Sequence, residues 1–228
     1  MAQITATYID HMGSDLSVVN AARVSFGKTS EMDMSDPWGP PKLKEKDAKL
    51  IRYLAKHKHI SPFGHAFASF HVKAPIFVAR QLVKHKFLRW NEISRRYVDD
   101  EPEFYAPDVW RGRSADKKQG SSDEEVDVAY YDRDDGYNDW PTDANSVALE
   151  AYQEMIKLGV APEQARMILP QSTMTEWYWS GSLDAFAAMC RLRCASDTQY
   201  ESRLVADQIS EEVSELFPVS WDALMGNS

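Results

Sequence analysis

The sequence lacks long apolar runs and a leader-like N-terminus, and both absences narrow the possible cellular locations. No stretch of about 18 uncharged apolar residues occurs, so we expect no membrane-spanning helix. The first residues, Met-Ala-Gln-Ile-Thr, have neither the basic flank nor the apolar segment of a secretory signal. We therefore predict a soluble, cytoplasmic protein with no membrane partner.

Cysteine is also scarce. Cys190 and Cys194 are the two cysteines, four residues apart, with no nearby His or further Cys at zinc-binding spacing. They are expected to be packed thiols, and no metal site is predicted.

Positive charge is in deficit, since the formal net charge is −9 and the pI is near 5.2. General nucleic-acid binding needs Lys and Arg spread over a face, so we predict no nucleic-acid partner. Residues 80–97 are a local exception, because six lysines and arginines, one His, one Glu and one Ser fall within this segment. A nucleotide-sized anion is the ligand that such a segment would bind.

The pattern along the chain predicts an α+β fold. With 228 residues and 43% apolar side chains, the chain can bury one full core, so we expect a single domain over residues 1–228. The predicted fold is a mostly antiparallel sheet flanked by helices, with a helical C-terminal half. Strands are predicted at 4–9 and 66–73, and helices at about 14–23, 43–57, 75–85, 147–158, 162–169, 183–193 and 198–216.

Two segments of the chain, at 75–85 and 113–146, allow more specific structural predictions. The helix at 75–85 is apolar nearly all round, which places it in the core or at a subunit interface, from which it would deliver Arg80, Gln81 and Lys84. Residues 113–146 are polar and poor in aliphatic side chains, so we predict a long polar loop inserted at about these positions. Such an insertion is either functional or tolerated without a role.

Two arginines in the helical half have apolar neighbours. Arg193 follows Phe186, Met189 and Cys190 at helical offsets, which places its guanidinium on the apolar face. A cation there needs a partner, either a core carboxylate or an anionic ligand. The same argument applies with less force to Arg166 in its shorter helix.

The cationic segment mixes several donor and acceptor types. Lys84-His85-Lys86 falls at a helix C-terminus, where cations also complement the helix dipole without a ligand. If the chain continues as a strand, Glu92, Ser94 and Arg96 share one face. A carboxylate, a hydroxyl and a guanidinium on one face can read a heterocycle edge and hold a phosphate.

Several ordered motifs together resemble the flavin-dependent thymidylate synthases. The motifs are Phe-His-Val-Lys-Ala-Pro-Ile-Phe-Val-Ala-Arg-Gln at 70–81, Lys-His-Lys at 84–86 followed after seven residues by Ser94, and Asn-Glu-Ile-Ser-Arg-Arg-Tyr at 91–97. Flanking matches are His-Ile-Ser-Pro-Phe at 59–63, Ala-Arg-Met-Ile-Leu-Pro at 165–170 and Leu-Arg at 192–193. The resemblance covers most of the chain and leaves out residues 113–146; a signature of this length is specific.

This resemblance implies that dUMP is methylated to dTMP, with FAD as bound cofactor, NADPH as reductant and methylenetetrahydrofolate as carbon donor. It also implies a homotetramer with shared active sites. The position of Arg193 in the motifs implies that it is a catalytic residue and that it acts by binding the edge of the pyrimidine ring. The implied dUMP contacts are Gln81, Lys84, Glu92, Ser94, Arg95, Arg96, Arg166 and Arg193. The implied flavin contacts are Ser61, Lys84, His85, Lys86, Asn91, Glu92 and Ser182.

Some residues depart from the pattern that the resemblance implies. Lys84 and Lys86 stand where arginines are usual, and Ser182, Ala188 and Asp197 stand where Asn, Asn and His are usual. A lysine keeps the charge but loses the planar bidentate fork. Two alternatives are therefore a flavin-dependent deoxypyrimidine monophosphate hydroxymethylase and a non-catalytic nucleotide- or flavin-binding relative.

Overall fold

Alternating buried and exposed side chains build a central antiparallel sheet. The computed structural model describes residues 2–98, 100–115, 120–132 and 136–226. Its strands are β1 Thr5–Met12, β2 Phe67–Pro75, β3 Leu88–Glu92, β4 Arg111–Arg113, β5 Ser121–Glu125, β6 Ala129–Asp132, β7 Gly136–Asp139 and β8 Met174–Ser182. Its α-helices are α1 Asp15–Arg23, α2 Glu45–Lys56, α3 Ile76–Leu82, α4 Trp140–Lys157, α5 Pro162–Ala165, α6 Leu183–Arg193, α7 Tyr200–Leu216 and α8 Pro218–Met225.

The central sheet has four strands in the order β1-β2-β8-β3, and every neighbouring pair is antiparallel. In β2, Ala68, Phe70, Val72 and Ala74 are buried on one face, as the period-two pattern predicts. Phe70 pairs with Trp179 in β8. Since β8 is paired on both sides, its tryptophans form the middle of the core.

Helices cover the buried face of this sheet. Phe186 of α6 packs edge-on against Phe70, with ring centroids 5.5 Å apart, and against Trp179 at 5.8 Å. Aromatic pairs in this geometry add stability beyond the area that they bury. The predicted α+β class, with an antiparallel sheet flanked by helices, is confirmed.

Of two predictions about the chain beyond residue 113, one missed a strand and the other is wrong. The segment from 146 onward is mostly helical, as predicted, but it also contains β8, a central strand that was not predicted. Residues 113–146 were expected to be a loop, but the described part of this segment forms most of two hairpins, β4–β5 and β6–β7, and the first turns of α4. Asp139 caps α4 by accepting a hydrogen bond from the Thr142 amide at 2.9 Å.

The helix α3 is shorter and less buried than the sequence predicts. It ends at Leu82, and Val78, Ala79 and Leu82 form its buried face. Arg80 and Lys84 are exposed in this chain, so of the two predicted alternatives, the core and a subunit interface, the core is wrong for both. Val83 is 46% exposed. Some hydrophobic surface around α3 is therefore left exposed in the single chain.

The two halves of the chain are joined by a buried carboxylate. Asp15, at the start of α1, is 7% exposed. Its Oδ2 accepts a hydrogen bond from the Val219 amide at 3.0 Å, and its Oδ1 accepts one from the Ser220 amide at 2.9 Å. These amides belong to the first turn of α8, whose positive dipole end favours an anion. No helix within the described ranges is long and apolar enough to cross a membrane.

Candidate active site

A cleft of about 580 Å³ lies between the end of α3, the end of α6, the start of α7 and the β4–β5 hairpin. The cleft contains three residues of the predicted dUMP set: Gln81, Lys84 and Arg193. The hairpin contributes Arg111 and Ser121, and α7 contributes Tyr200 and Glu201.

Arg193 is held by a neutral imidazole. Its Nε donates a hydrogen bond to Nε2 of His85 at 3.0 Å. Burial, and secondly the charge of Arg193, lower the pKa of His85 from 6.5 to about 4, so the ring is an uncharged acceptor at neutral pH. Burial also lowers the pKa of the Arg193 guanidinium, which nonetheless stays charged because arginine does not deprotonate in proteins. The His85 contact fixes one edge of a cation that faces the cleft.

The alternative of a core ion pair does not describe Arg193. No carboxylate among the described residues lies within 4.0 Å of its guanidinium nitrogens. The partner of Arg193 is instead the central residue of the cationic tripeptide, an association between residues 108 positions apart in the chain. This leaves the positive charge of Arg193 available to an anionic ligand.

Gln81 is fixed by two hydrogen-bonding partners from α7 and the turn before it. Its Nε2 donates to Oε1 of Gln199, and its Oε1 accepts from the Ser202 hydroxyl at 3.0 Å. Ser202 is fully buried. An amide oriented in this way presents a defined donor and acceptor pattern, which suits recognition of a heterocycle edge.

Arg111 is a cleft residue that the sequence reasoning missed. Its Nε donates to the Ser121 hydroxyl at 2.8 Å, its NH2 group pairs with Glu201, and its guanidinium lies over the Tyr200 ring at 4.1 Å. The available signal was the Arg-Gly-Arg tripeptide at 111–113, where the polar segment begins, with Ser121 and Ser122 eight and nine residues after it. Arg111 therefore anchors the hairpin to α7.

A second group of predicted dUMP residues lies along β3 and the turn after it. The prediction that Glu92, Ser94 and Arg96 share a strand face is wrong, because β3 ends at Glu92 and the backbone then turns. The turn still brings Ser94 and Arg96 together, since Nε of Arg96 donates to the Ser94 hydroxyl oxygen at 3.3 Å.

Glu92 is oriented from both sides of its carboxylate. Its Oε1 accepts from the Thr175 hydroxyl at 2.7 Å, and its Oε2 accepts from Nε1 of Trp90 at 3.1 Å. None of Glu92, Ser94 and Arg96 lines the cleft of Arg193. The single chain thus presents the predicted dUMP residues in separate groups.

Arg95 and Arg166 have other partners in this chain. Arg95 pairs with Asp100, with an N–O distance of 3.0 Å, and it lines a different depression beside Thr175 and Glu176. Arg166 is exposed, and its Nε donates to the Glu163 carbonyl at 3.2 Å. Neither arginine lies in the cleft.

Several of the predicted flavin residues converge on one end of the sheet. Ser61 opens a short 3₁₀ helix, Ser61–His65, that leads into β2, and Ser182 ends β8. The two segments are joined by the Leu183 amide, which donates to the Ala66 carbonyl at 2.8 Å. Phe87, after Lys84-His85-Lys86, lies against Gly181 of the same β8 end. Asn91 is farther along β3, exposed and paired with Tyr178.

The turn at Phe87 has an unusual backbone. Phe87 has φ of 69°, in the left-handed region that bulky residues rarely adopt, and its side chain is 85% exposed. Backbone strain of this kind is concentrated at ligand sites. Lys84 and Lys86, on either side of His85, are exposed and have no carboxylate within 4.0 Å among the described residues.

Cys190 is not an activated nucleophile. Cys190 is fully buried and packed as predicted, and its Sγ donates to the Ala206 carbonyl at 3.6 Å. Burial raises the pKa of its thiol well above the usual value, which keeps the nucleophilic thiolate scarce. Cys194 is half-buried.

Comparisons with known proteins identify the family. The family described as "Thymidylate synthase complementing protein" matches residues 7–219. Flavin-dependent thymidylate synthase from Thermus thermophilus is 39% identical over 219 residues, which cover 94% of this chain and 73% of that protein. The enzyme from Thermosipho melanesiensis is 34% identical over 225 residues, covering 95% and 88%.

A solved structure gives the same answer for the fold. The UMP/dUMP methylase PolB from Streptomyces cacaoi, bound with 5-Br dUMP, superimposes with a TM-score of 0.76 at 31% identity, over 99% of this chain and 96% of that one. The resemblance drawn from the motifs is confirmed, and the chain belongs to the flavin-dependent thymidylate synthase family.

Proposed function

We propose that this protein methylates dUMP to dTMP, with methylenetetrahydrofolate as carbon donor, FAD as bound cofactor and NADPH as reductant. The observation that carries the proposal is the cleft in which Arg193, fixed by neutral His85, faces the oriented amide of Gln81. A guanidinium and a side-chain amide can together form hydrogen bonds with the imide edge of a uracil.

The residues at this end of the sheet carry chemical groups that can bind a flavin. Exposed Lys84 and Lys86 supply positive charge for phosphate or for electron-rich ring atoms, and exposed Phe87 supplies an aromatic surface. Ser61, Ser182, Asn91 and Glu92 would complete the contacts. A bound flavin would supply the reducing equivalents for the transferred carbon, and NADPH would restore them.

Arg193 acts on the pyrimidine in this proposal. A guanidinium against the imide edge stabilises negative charge at N3, which raises electron density at C5, the atom that forms the new carbon bond. His85 contributes by accepting the Nε hydrogen, which leaves the outer fork for the substrate. Cys190 takes no part, since it is buried and burial raises the pKa of its thiol.

The phosphate of dUMP would be held by the second group, Ser94 and Arg96, with Arg95 and Arg166, and Glu92 would contact dUMP away from the phosphate. These residues do not line the Arg193 cleft within one chain. We infer that a neighbouring subunit brings them to it in a cytoplasmic homotetramer with shared active sites. The exposed Val83 and Phe87 beside α3 support a subunit contact there.

The test uses purified protein. We expect a flavin absorption spectrum and, with NADPH, methylenetetrahydrofolate and dUMP, a product that has the mass of dTMP. A hydroxymethyl product would support the diverged hydroxymethylase instead, and flavin binding without oxidation of the reduced flavin by dUMP and folate would support a non-catalytic relative. UMP is assayed alongside because the PolB neighbour is described as a UMP/dUMP methylase.

A further inference from the structure

A second concave surface is lined by elements other than those of the cleft, apart from α6, which contributes Arg191 to the one and Arg193 to the other. It is a groove of about 1050 Å³ between the C-terminal part of α2, Ile60 and the end of α8. Its described lining contains four cations, Arg52, Lys56, Lys58 and Arg191, and no acidic residue. In a chain of net charge −9, this is a local reversal of the surface potential.

The positive charge of the groove is larger than the negative charge of the groups that surround it. The C-termini of α2 and α8 converge here, and each carries about half a negative charge. Glu45 lies 3.7 Å from Arg52, and the Arg191 NH1 group donates to the Leu224 carbonyl at 2.6 Å. Two helix ends and one carboxylate offset about two of the four charges. A net positive potential therefore remains for an anion.

The groove also has an aromatic wall. Tyr53 is 54% exposed, and its ring lies 4.3 Å from the His57 ring and 6.2 Å from the His59 ring, nearly parallel to the latter. A flat ring beside a cluster of cations suits a ligand that has both a heterocycle and phosphates. Ile60 lines the groove, and the next residue, Ser61, begins the 3₁₀ helix that we expect to contact the flavin.

We propose that this groove binds the phosphates and one heterocycle of the pyridine dinucleotide reductant. The inference rests on the proposed function, which requires a dinucleotide and leaves its site unassigned. Lys56, Lys58 and Arg52 contact the phosphoryl groups, and Tyr53 packs against a ring. The groove volume accommodates a ligand of this size.

Lys58 permits an unusually clean test. Its φ is 57°, a conformation that glycine adopts without strain, so Lys58→Gly removes the charge without disturbing the turn. Lys56→Gln removes a second charge from the last residue of α2. The matched control is Lys157→Gln, because Lys157 is likewise the last residue of its helix, α4, and lies outside the groove.

The measurement is flavin reduction in stopped flow under anaerobic conditions at increasing NADPH, with direct titration of NADP⁺ binding as a second readout. We expect the Lys56→Gln/Lys58→Gly variant to need at least about tenfold more NADPH, whereas Lys157→Gln is unchanged. NADH, which lacks the 2′-phosphate, should be affected less. Turnover after chemical reduction with dithionite should equal that of the parent.

Two results would overturn the proposal. One is an unchanged NADPH dependence in a folded, flavin-loaded double variant. The other is a rise in the apparent KM for triglutamyl methylenetetrahydrofolate with NADPH unaffected, which would assign the groove to the folate tail. Failure of the proposed methylation would show separately, because dithionite-reduced parent protein would then make no dTMP whatever its affinity for NADP⁺.

Discussion

At the scale of single residues, the hydrogen bond between Arg193 and His85 joins two motifs that are far apart in the sequence, Leu-Arg at 192–193 and Lys-His-Lys at 84–86. The sequence pattern indicated a cation on the apolar face of its helix, but could not identify its partner, because the choice between a carboxylate and a neutral ring depends on tertiary packing. The pairing also explains why the tripeptide has His between two lysines. A third cation at position 85 would repel Arg193.

We predict that Arg193→Lys weakens dUMP binding by at least about tenfold, because the planar fork is lost while the charge remains. The free energy of unfolding should change by less than about 1 kcal/mol, since Arg193 has no described carboxylate partner to orphan. Calorimetric titration and urea unfolding measure the two effects. Arg203→Lys is the control, because Arg203 lies on the adjacent helix α7, is half-buried like Arg193 and does not line the cleft. A parallel loss of stability and affinity would contradict a ligand-facing role.

The imidazole of His85 should titrate with a pKa of about 4 in the folded protein, against 6.5 in the unfolded chain. The unfolded state then binds more protons between these values, so stability falls as the pH is lowered from 6.5 towards 4. Nitrogen-15 NMR of the ring measures the pKa. In Arg193→Gln it should rise but stay below 6.5, because burial is the larger cause. Titration near 6.5 in the parent protein would disprove the neutral acceptor.

At the scale of elements, the helix α6 and the buried face of β2 were predictable, because their apolar spacing is regular. The strand β8 was missed because Trp177, Tyr178 and Trp179 are consecutive aromatics that hide the alternation. Buried Thr173 and Thr175 add to the difficulty, since their burial follows from pairing inside the sheet. The hairpins of the polar segment carry almost no aliphatic side chains, so periodicity gave no signal for them.

The position of β3 depends on a close backbone approach at Gly181. A Cβ there would lie 3.1 Å from the Phe87 carbonyl oxygen and would overlap the Leu88 side chain. We predict that Gly181→Ala costs about 1–3 kcal/mol of unfolding free energy and weakens flavin binding. Urea unfolding and flavin titration measure these effects. Gly64→Ala is the stability control, because the nearest atom to its Cβ would be 4.0 Å away. Equal effects at both positions would show that the close approach is unimportant.

The β4–β5 hairpin is held over the cleft by Arg111. We predict that Arg111→Gln releases the hairpin from Glu201, speeds amide hydrogen exchange at Ser121–Glu125, and weakens dUMP binding several-fold. Arg113→Gln is the matched control, because Arg113 is in the same strand and exposed. Unchanged exchange in Arg111→Gln would mean that the hairpin is fixed by other contacts.

At the scale of the whole molecule, the candidate site was predictable as a set of residues but not as a place. Gln81, Lys84 and Arg193 come together within one chain, whereas Ser94 and Arg96 lie apart from them. Sequence motifs identify the residue types that a reaction needs, but they do not state which copy of the chain supplies each one.

If the two groups meet only between subunits, inactive variants should complement each other. Arg193→Ala and Arg96→Ala proteins should each lack activity, and a mixture that has been dissociated and reassembled should recover part of it, since some sites then receive both native arginines. Activity assays together with light scattering measure this. No recovery in mixed oligomers of confirmed composition would place the complete site in a single subunit.

The buried carboxylate of Asp15 has a consequence for how the protein is made. Its amide donors lie 204 and 205 positions later in the chain, so they leave the ribosome long after Asp15 has emerged. Until then a carboxyl group that is 7% exposed in the folded protein lacks these partners and must stay hydrated. Closure of the core around α1 therefore waits until α8 has been synthesised, and nascent chains that stop before α8 are expected to remain open to chaperones and proteases.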